Sequence, residues 1–500
     1  MSKLVDTSNR SSDVLEDLRG QVSGLERAQQ IYCNRDLNFS KIEAIGFDMD
    51  YTLARYHQSA LDEASVRLTL ERLVKERGYP AEIQRIEAQP NFAIRGLVID
   101  TWKGNVLKMD AHRHVGKGFH GMRELDSVER KAYRDETIRL NDDGRFALID
   151  TLFALPEAYL YAALVDFLET ERPGQAHDWK RLFQDIRYCI DLAHRDGSIK
   201  TEIMANMERF IHGGDSELAL TLHRYRSAGK RLFVVTNSFA VYSHHVMSHL
   251  LDGVLDEYPN WQGYFDVIIT GSSKPNFFTD RAPFLITDSQ GTIHGQEHTR
   301  FERGTIYQGG NLPDFERMFG LGGERIVYVG DHIYGDIVRS KKSSAWRTIM
   351  IVEEMDQELS KADALLHELQ WIDSLDTEIF RLTERLGFEQ HMLYRVDTIK
   401  NEEQDDSIRI ARKDLVKTRD QIKRERRELL SELERLEQEL EREFNPFWGL
   451  IFRHGNEATL FGAQVEDYAC LYTSRVANLL SYSPMHYFRA PRQLMPHERY

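Results

Sequence analysis

Cysteine is nearly absent from this 500-residue chain: only Cys33, Cys189 and Cys470 occur, far apart and without metal-ligand spacing. That excludes a disulfide framework and a cysteine-based zinc site, and it matches the usage of a reducing, cytoplasmic compartment. Long apolar runs are missing too. None approaches the roughly 20 residues needed to span a bilayer, and the opening Met1-Ser2-Lys3-Leu4-Val5-Asp6 holds no signal-peptide core. No membrane partner is therefore expected. Positive charge is in deficit, with 65 Lys and Arg against 80 Asp and Glu and a formal net charge of -15. A nucleic-acid backbone would be repelled, so no nucleic-acid partner is expected. A small phosphorylated ligand stays compatible if a local cationic pocket and a metal receive it. The 41% hydrophobic content and mean hydropathy of -0.50 are those of a globular chain. A chain of this length normally divides into two or three domains.

What is present is a set of short apolar runs that end in reactive side chains. Ile42-Glu43-Ala44-Ile45-Gly46-Phe47 leads into Asp48-Met49-Asp50-Tyr51-Thr52-Leu53. Four more runs read as strands: Arg231–Val235 ending at Thr236-Asn237-Ser238, Phe265–Thr270 leading to Lys274, Arg325–Val329 ending at Gly330-Asp331, and Trp346–Val352. Continuous apolar runs alternating with helical patterns predict an α/β fold with a parallel sheet covered on both faces. In such sheets the carboxyl ends of the strands carry the active site.

An isolated Asp-x-Asp is unspecific. Four strand tips together are not, because each supplies a part of phosphoryl transfer. Asp48 can act as nucleophile and Asp50 as the acid and base that serves the leaving oxygen and the attacking water. Thr236, with Asn237, can donate hydrogen bonds to phosphate oxygens, and Lys274 can neutralise a phosphorylated aspartate. Asp331 and Asp336, with Asp48 and Asp50, form a candidate Mg²⁺ site. Bland readings exist for each: Thr236 as a helix cap, Lys274 as a surface lysine, Asp331 as a turn residue.

This order of motifs resembles the haloacid dehalogenase-like superfamily, and Gly46-Phe47-Asp48-Met49-Asp50-Tyr51-Thr52-Leu53-Ala54 resembles the first motif of its cytosolic purine 5'-nucleotidase family. Arg95-Gly96-Leu97-Val98, Gly104-Asn105-Val106-Leu107-Lys108, Thr151-Leu152-Phe153, Gly330 to Lys342, Leu460-Phe461, Gln464-Val465 and Leu494–Glu498 agree with that family as well. The resemblance covers residues 30–500 apart from a helix at 385–445. It implies a Rossmannoid catalytic core (41–60 and 215–356), an inserted α/β cap (61–214) and a C-terminal helical region (357–500), after an N-terminal helical segment (1–40). It further implies Mg²⁺-dependent hydrolysis of IMP and GMP through an aspartyl-phosphate on Asp48, transfer to a nucleoside acceptor in place of water, and a homo-oligomer, tetramer or dimer. Carried over by position, Phe153 would stack on the base, Arg187 and Asp191 would read the base edge or ribose, and His194 and Lys200 would contact ribose and phosphate. Thr236, Asn237, Ser238 and Lys274 would hold the phosphoryl group. Read without the resemblance, Arg187 and Asp191 are an i,i+4 helix ion pair of little worth, and His194 is a helix-end histidine.

The match departs from the family in places. Ala154 stands at a base-proximal position that is Asn in animal members. At the family's adenine-nucleotide activating site, Tyr334, Lys342, Gln464 and Tyr468 remain candidates, but Leu140 and Asp467 replace arginines and Asp150 an asparagine. The lost positive charge disfavours a polyphosphate, so a weak or absent response to ATP is expected.

One segment stands apart from this chemistry. From about Asp405 to Phe444 the chain is highly charged, lacks Gly and Pro, and places Leu415, Ile422, Leu429, Leu433, Leu436 and Leu440 on a seven-residue pattern. An intermolecular coiled coil, a surface helix and an antiparallel hairpin with 358–387 all satisfy it. The last fifty residues, rich in Phe, Tyr and Leu, are expected to form a packed helical end. The rival functions are phosphatase chemistry on another phosphometabolite, and a non-enzymatic scaffold acting through the C-terminal helices.

Overall fold

The five apolar runs lie side by side in the computed structural model, which describes residues 24–140, 144–171, 173–297, 299–338, 344–398 and 406–498. They occupy adjacent places in a ten-stranded sheet, in the order Arg347–Ile351, Ile326–Gly330, Ala44–Phe47, Arg231–Val235, Val267–Thr270. All four neighbouring pairs are parallel. Ala44–Phe47 is buried at every residue, as a strand covered on both faces requires. Gly46 is there for packing: a Cβ would stand 2.3 Å from the Phe233 ring. That ring belongs to an aromatic core with Phe277, Phe315, Phe319, Tyr328 and Trp346.

Two features of the sheet were not read from the sequence. Ile306–Gly309 extends the parallel run beyond Val267–Thr270, and the antiparallel strands Phe284–Thr287 and Ile293–Glu297 finish that edge. At the other side Leu471–Thr473 pairs in parallel with Arg347–Ile351 and antiparallel with Tyr32–Cys33. The final fifty residues are thus not only helical. Leu471 and Thr473, each 0% exposed, serve as sheet core, next to the helix Leu460–Tyr468. A second, five-stranded antiparallel sheet runs Arg123–Glu124, Val115–His120, Asn105–Met109, Leu97–Asp100, Phe146–Ile149, with its own apolar cluster around Val98, Leu107, Phe146 and Leu148. Among the described residues no helix is long and apolar enough to cross a membrane.

The chain divides into two compact units, Met1–Asp356 with Ile451–Tyr500, and Gln357–Leu450. In the second unit the heptad helix, Asp406–Phe444, is half of an intramolecular antiparallel hairpin with Leu366–Asp397. Leu375 and Ile379 pack with Leu433, while Leu382 and Leu386 pack with Ile422, which fixes the direction of pairing. Its leucine stripe is therefore spent within the chain. Of the N-terminal segment, residues 1–23 lie outside the described residues, and 24–41 carry two short 3-10 turns and two-residue strands.

A half-buried acid lies in the first turns of the long helix Gln58–Arg77. Gln58 accepts a hydrogen bond from the Tyr51 hydroxyl at 2.7 Å and donates one to Asp62 Oδ1 at 2.7 Å. Burial pushes Asp62 up to about 7, against the Gln58 hydrogen bond and with help from Glu63. A folded-state value above the unfolded one of about 3.9 adds stability that is complete below that pH and lost as pH rises through 7. Asp62→Asn is accordingly expected to raise Tm at pH 8 and leave it unchanged at pH 4, with a ceiling of about 4 kcal/mol. Thermal melts across that range check it; equal Tm values at pH 8 would contradict it.

Candidate active site

The carboxyl ends of the central strands converge, and the first residues past them are the ones that carry chemistry. Asp48 follows Ala44–Phe47 directly, with its N–H bonded to Val329 O at 2.8 Å, so two strand tips are tied at the point of interest. Leu53 and Ala54 N–H both bond to Met49 O, which winds the loop tightly, and Tyr51 sits in the left-handed region at φ 54. A buried tyrosine in that region costs free energy that the surrounding packing must hold. Thr236 follows Arg231–Val235, and Asp331 follows Ile326–Gly330. Asp336 comes from a π-helical turn, Ile333–Val338, that returns its carboxylate to the strand end. Gly330 makes room for it, since a Cβ there would lie 2.6 Å from the Asp336 carboxyl group.

Lys274 is the hub. Its Nζ lies 2.9 Å from Asp48 Oδ1, 2.7 Å from Asp336 Oδ1 and 2.9 Å from the Tyr328 hydroxyl, which itself donates to Val235 O. Burial alone would lower the lysine, but Asp336 and Asp48 more than offset it and hold it above the usual value. Burial pushes Asp48 well above the carboxylate range; Lys274 opposes this, while Asp336, Asp331 and Asp50 add to it. Asp331 is pushed up to about 7 by burial and by Asp336, against the pull of Arg95. Lys274, with Arg95 beside Asp331, does not balance this much buried negative charge.

A divalent cation would. One carboxylate oxygen each from Asp48, Asp331 and Asp336 lies within 4.8 Å of the others, an all-oxygen set suited to a small hard cation. The Asp50 carboxylate is not in that cluster. Tyr56 donates to its Oδ1 at 2.5 Å and Ser238 to its Oδ2 at 2.7 Å, and the Tyr56 and Tyr242 hydroxyls are 2.9 Å apart.

The other sequence-predicted residues divide. A cavity of about 300 Å³ is lined by Asp48, Asp50, Phe153, His194, Lys200, Asn237, Ser238 and Asp331, with Leu61, Ile199 and Ile203 as an apolar wall. Phe153 packs edge-on against Tyr51 and His194. Burial and then the Lys200 charge hold His194 below its ordinary value, so the imidazole is neutral at pH 7. Lys200 Nζ donates to Ser238 Oγ at 3.2 Å. Asn237 does structural service: its side chain donates to Lys274 O at 2.9 Å and accepts from Lys274 N, which fastens the lysine loop. Arg187 and Asp191 are not in the cavity wall. Arg187 forms a two-pronged ion pair with buried Glu157, at 2.7 and 3.0 Å, rather than the i,i+4 pair with Asp191. Of the effector-site candidates, Lys342 lies outside the described residues. Tyr334 is 38% exposed, and Gln464 is buried with its Oε1 unpartnered among the described residues. Tyr468 ends the helix Leu460–Tyr468.

Sequence reasoning missed the residues that hold the site in shape. Arg95, fully buried, grips Glu354 at 2.8 and 2.5 Å and donates to Asp331 O at 2.8 Å. His332 pairs with Asp150 at 3.1 Å; burial opposes its charge, but Asp150 raises it to about 9. Both residues lie in stretches that resemble the family, but their partners are 182 to 259 residues away, and no local pattern assigns them these contacts.

The sequence model of the 5' nucleotidase family matches residues 31–500. This chain belongs to that family. It is 31% identical to 5'-nucleotidase domain-containing protein 2 of Rattus norvegicus, over 96% of this chain and 81% of the relative. Against the Homo sapiens protein of the same name it is 30% identical, over 96% and 86%. A 5'-nucleotidase domain-containing protein of Dictyostelium discoideum is 29% identical, over 94% and 75%. Membership makes the chain an enzyme of the 5'-nucleotidase class, acting on nucleoside monophosphates.

Proposed function

We propose that this chain is a Mg²⁺-dependent 5'-nucleotidase of haloacid dehalogenase-like fold that hydrolyses IMP and GMP through an aspartyl-phosphate on Asp48. The observation that carries the reading is the Asp48–Lys274–Asp336 contact at the strand ends, beside a cavity lined by Phe153, His194 and Lys200. An Asp48 oxygen attacks phosphorus, the bond to the 5'-oxygen breaks, and Asp50 supplies that oxygen with a proton. Water then yields a proton to Asp50 as its oxygen attacks phosphorus. The acyl-phosphate bond between the Asp48 oxygen and phosphorus breaks, Asp48 returns to a carboxylate, and inorganic phosphate leaves. A nucleoside hydroxyl in place of that water makes the same chemistry a phosphotransfer.

Lys274 offsets the charge on the phosphorylated aspartate, while Thr236, Asn237 and Ser238 offer N–H and O–H donors to the phosphoryl oxygens. Asp48, Asp331 and Asp336, with Asp50 beside them, would hold Mg²⁺, which would supply charge neutralisation at the transferring group. Phe153 gives the base a stacking face, and His194 and Lys200 reach ribose and phosphate. Arg187, already gripped by Glu157, and Asp191 would read the base edge from outside the present cavity wall. In this reading residues 41–60 and 215–356 are the core and 61–214 the cap, in a cytoplasmic homo-oligomer.

Phosphate release from IMP, GMP, AMP, UMP and glucose 6-phosphate, with Mg²⁺ and with EDTA, tests it. Turnover of IMP and GMP at least tenfold above the others, abolished by EDTA, is expected. Preference for UMP or the sugar phosphate would discard the purine assignment and keep the chemistry; turnover undiminished in EDTA would discard the metal.

A further inference from the structure

The helical hairpin leaves one face of its first helix uncovered, and that face is self-complementary. In Leu366–Asp397 the buried residues are Leu375, Ile379, Leu382, Leu386 and Leu393, and the first four pack on Asp406–Phe444. Residues two positions away stand about 200° round the helix, on its opposite side. There lie Phe380 and Phe388, 68% and 63% exposed. Gly387, between them, has open space where a side chain would project. A glycine at mid-helix costs about 1 kcal/mol relative to alanine, and its use beside two exposed rings leaves a gap that a ring from outside can fill.

Glu384 is the centre of a palindrome on this face. Phe380 and Phe388 stand four residues to either side of it, Thr377 and His391 seven, and Asp373 and Arg395 eleven. An antiparallel helix related by a two-fold axis at Glu384 meets every one of these with its counterpart: ring against ring, and Asp373 against Arg395 at both ends. Arg381 comes level with the second copy's Gly387, one turn from its Glu384, and is paired within its own chain with Glu378. The contact runs about 40 Å, enough to approach the roughly 1,200 Å² of a specific dimer.

We infer that a second copy of this chain docks here, with the two Leu366–Asp397 helices antiparallel about Glu384. The interface is independent of the catalytic reading. Sedimentation equilibrium on the full chain tests it, together with variants at exposed positions whose helix content is verified by circular dichroism. Phe380→Glu with Phe388→Glu is expected to weaken dimerisation at least about a hundredfold. Arg395→Asp weakens it as well, and adding Asp373→Arg restores it. Glu384→Cys gives an oxidation-dependent covalent dimer, because the axis brings that position against itself. A chain that stays monomeric at all concentrations overturns the inference and leaves the face to a different protein. A dimer indifferent to the phenylalanine pair overturns it too, as does failure of the charge exchange to rescue.

Discussion

Asp48→Asn is expected to lower phosphate release by about 10,000-fold or more while making the metal-free protein more stable. Both effects come from one oxygen. The carboxylate proposed as the nucleophile is also one of the buried acids near Lys274, and its own protonation is favoured by burial and, against Lys274, by Asp336, Asp331 and Asp50. An amide is no nucleophile and carries no charge. Activity therefore disappears, and the repulsion that grows as the pH rises is reduced. Thermal melts at pH 8 without metal should show a higher Tm for the variant, and the Mg²⁺-dependent increment in Tm should shrink because an oxygen ligand is lost. A variant that is inactive because it unfolds would have a lower Tm instead. Residual activity within tenfold of the parent would remove Asp48 from the nucleophile's role.

Lys274→Met should be damaging in both respects. Its ammonium group bridges Asp48 and Asp336 with side-chain exposures of 3%, 13% and 1%. Removing one partner of a buried ion pair leaves the other uncompensated and costs about 3–5 kcal/mol. Urea denaturation in EDTA should show that loss, and Mg²⁺ should recover part of it by supplying positive charge to the same carboxylates. Turnover should fall by about 1,000-fold, because the phosphorylated aspartate loses its counter-charge. Stability within about 1 kcal/mol of the parent would mean that the lysine contributes little more than a surface pair.

The two substitutions differ in sign on stability although their targets touch. That difference follows from the excess of negative charge: subtracting an acid relieves it and subtracting the base aggravates it. Burial, and then Asp336, push Asp331 up to about 7, and the three-carboxylate cluster has the oxygen set that could hold a cation.

How much of this could be read from the chain depends on the range of the interaction concerned. The five central strands were legible because a buried parallel strand must be apolar at successive residues, and Ala44–Phe47, Ile326–Gly330 and the stretch 232–235 are. Their ends were legible because Asp48, Thr236 and Asp331 break those runs abruptly. Leu471–Thr473 was not, since three residues among aromatic helix formers carry no period of their own. Its place is decided by the open edge of Arg347–Ile351. The leucine heptads of Asp406–Phe444 specified a helix with an apolar stripe, but a stripe does not name its partner. Leu375, Leu382 and Leu386 supplied one from within the chain, at the close range that a hairpin allows.

The sequence by itself determined which acids, which lysine and which hydroxyl stand at or just past strand tips. It did so because covalent order places a reactive residue immediately after the strand that aims it. Only the tertiary structure decided which of those groups touch. Asp48 and Lys274 meet, Asp50 turns instead to Tyr56 and Ser238, Arg187 is held by Glu157, and Arg95 braces Asp331 from the far side. All of these contacts except Asp50–Tyr56 join segments tens to hundreds of residues apart, and each satisfies a buried charge or polar group. Such compensation is a property of the packed interior, and no window of sequence contains it.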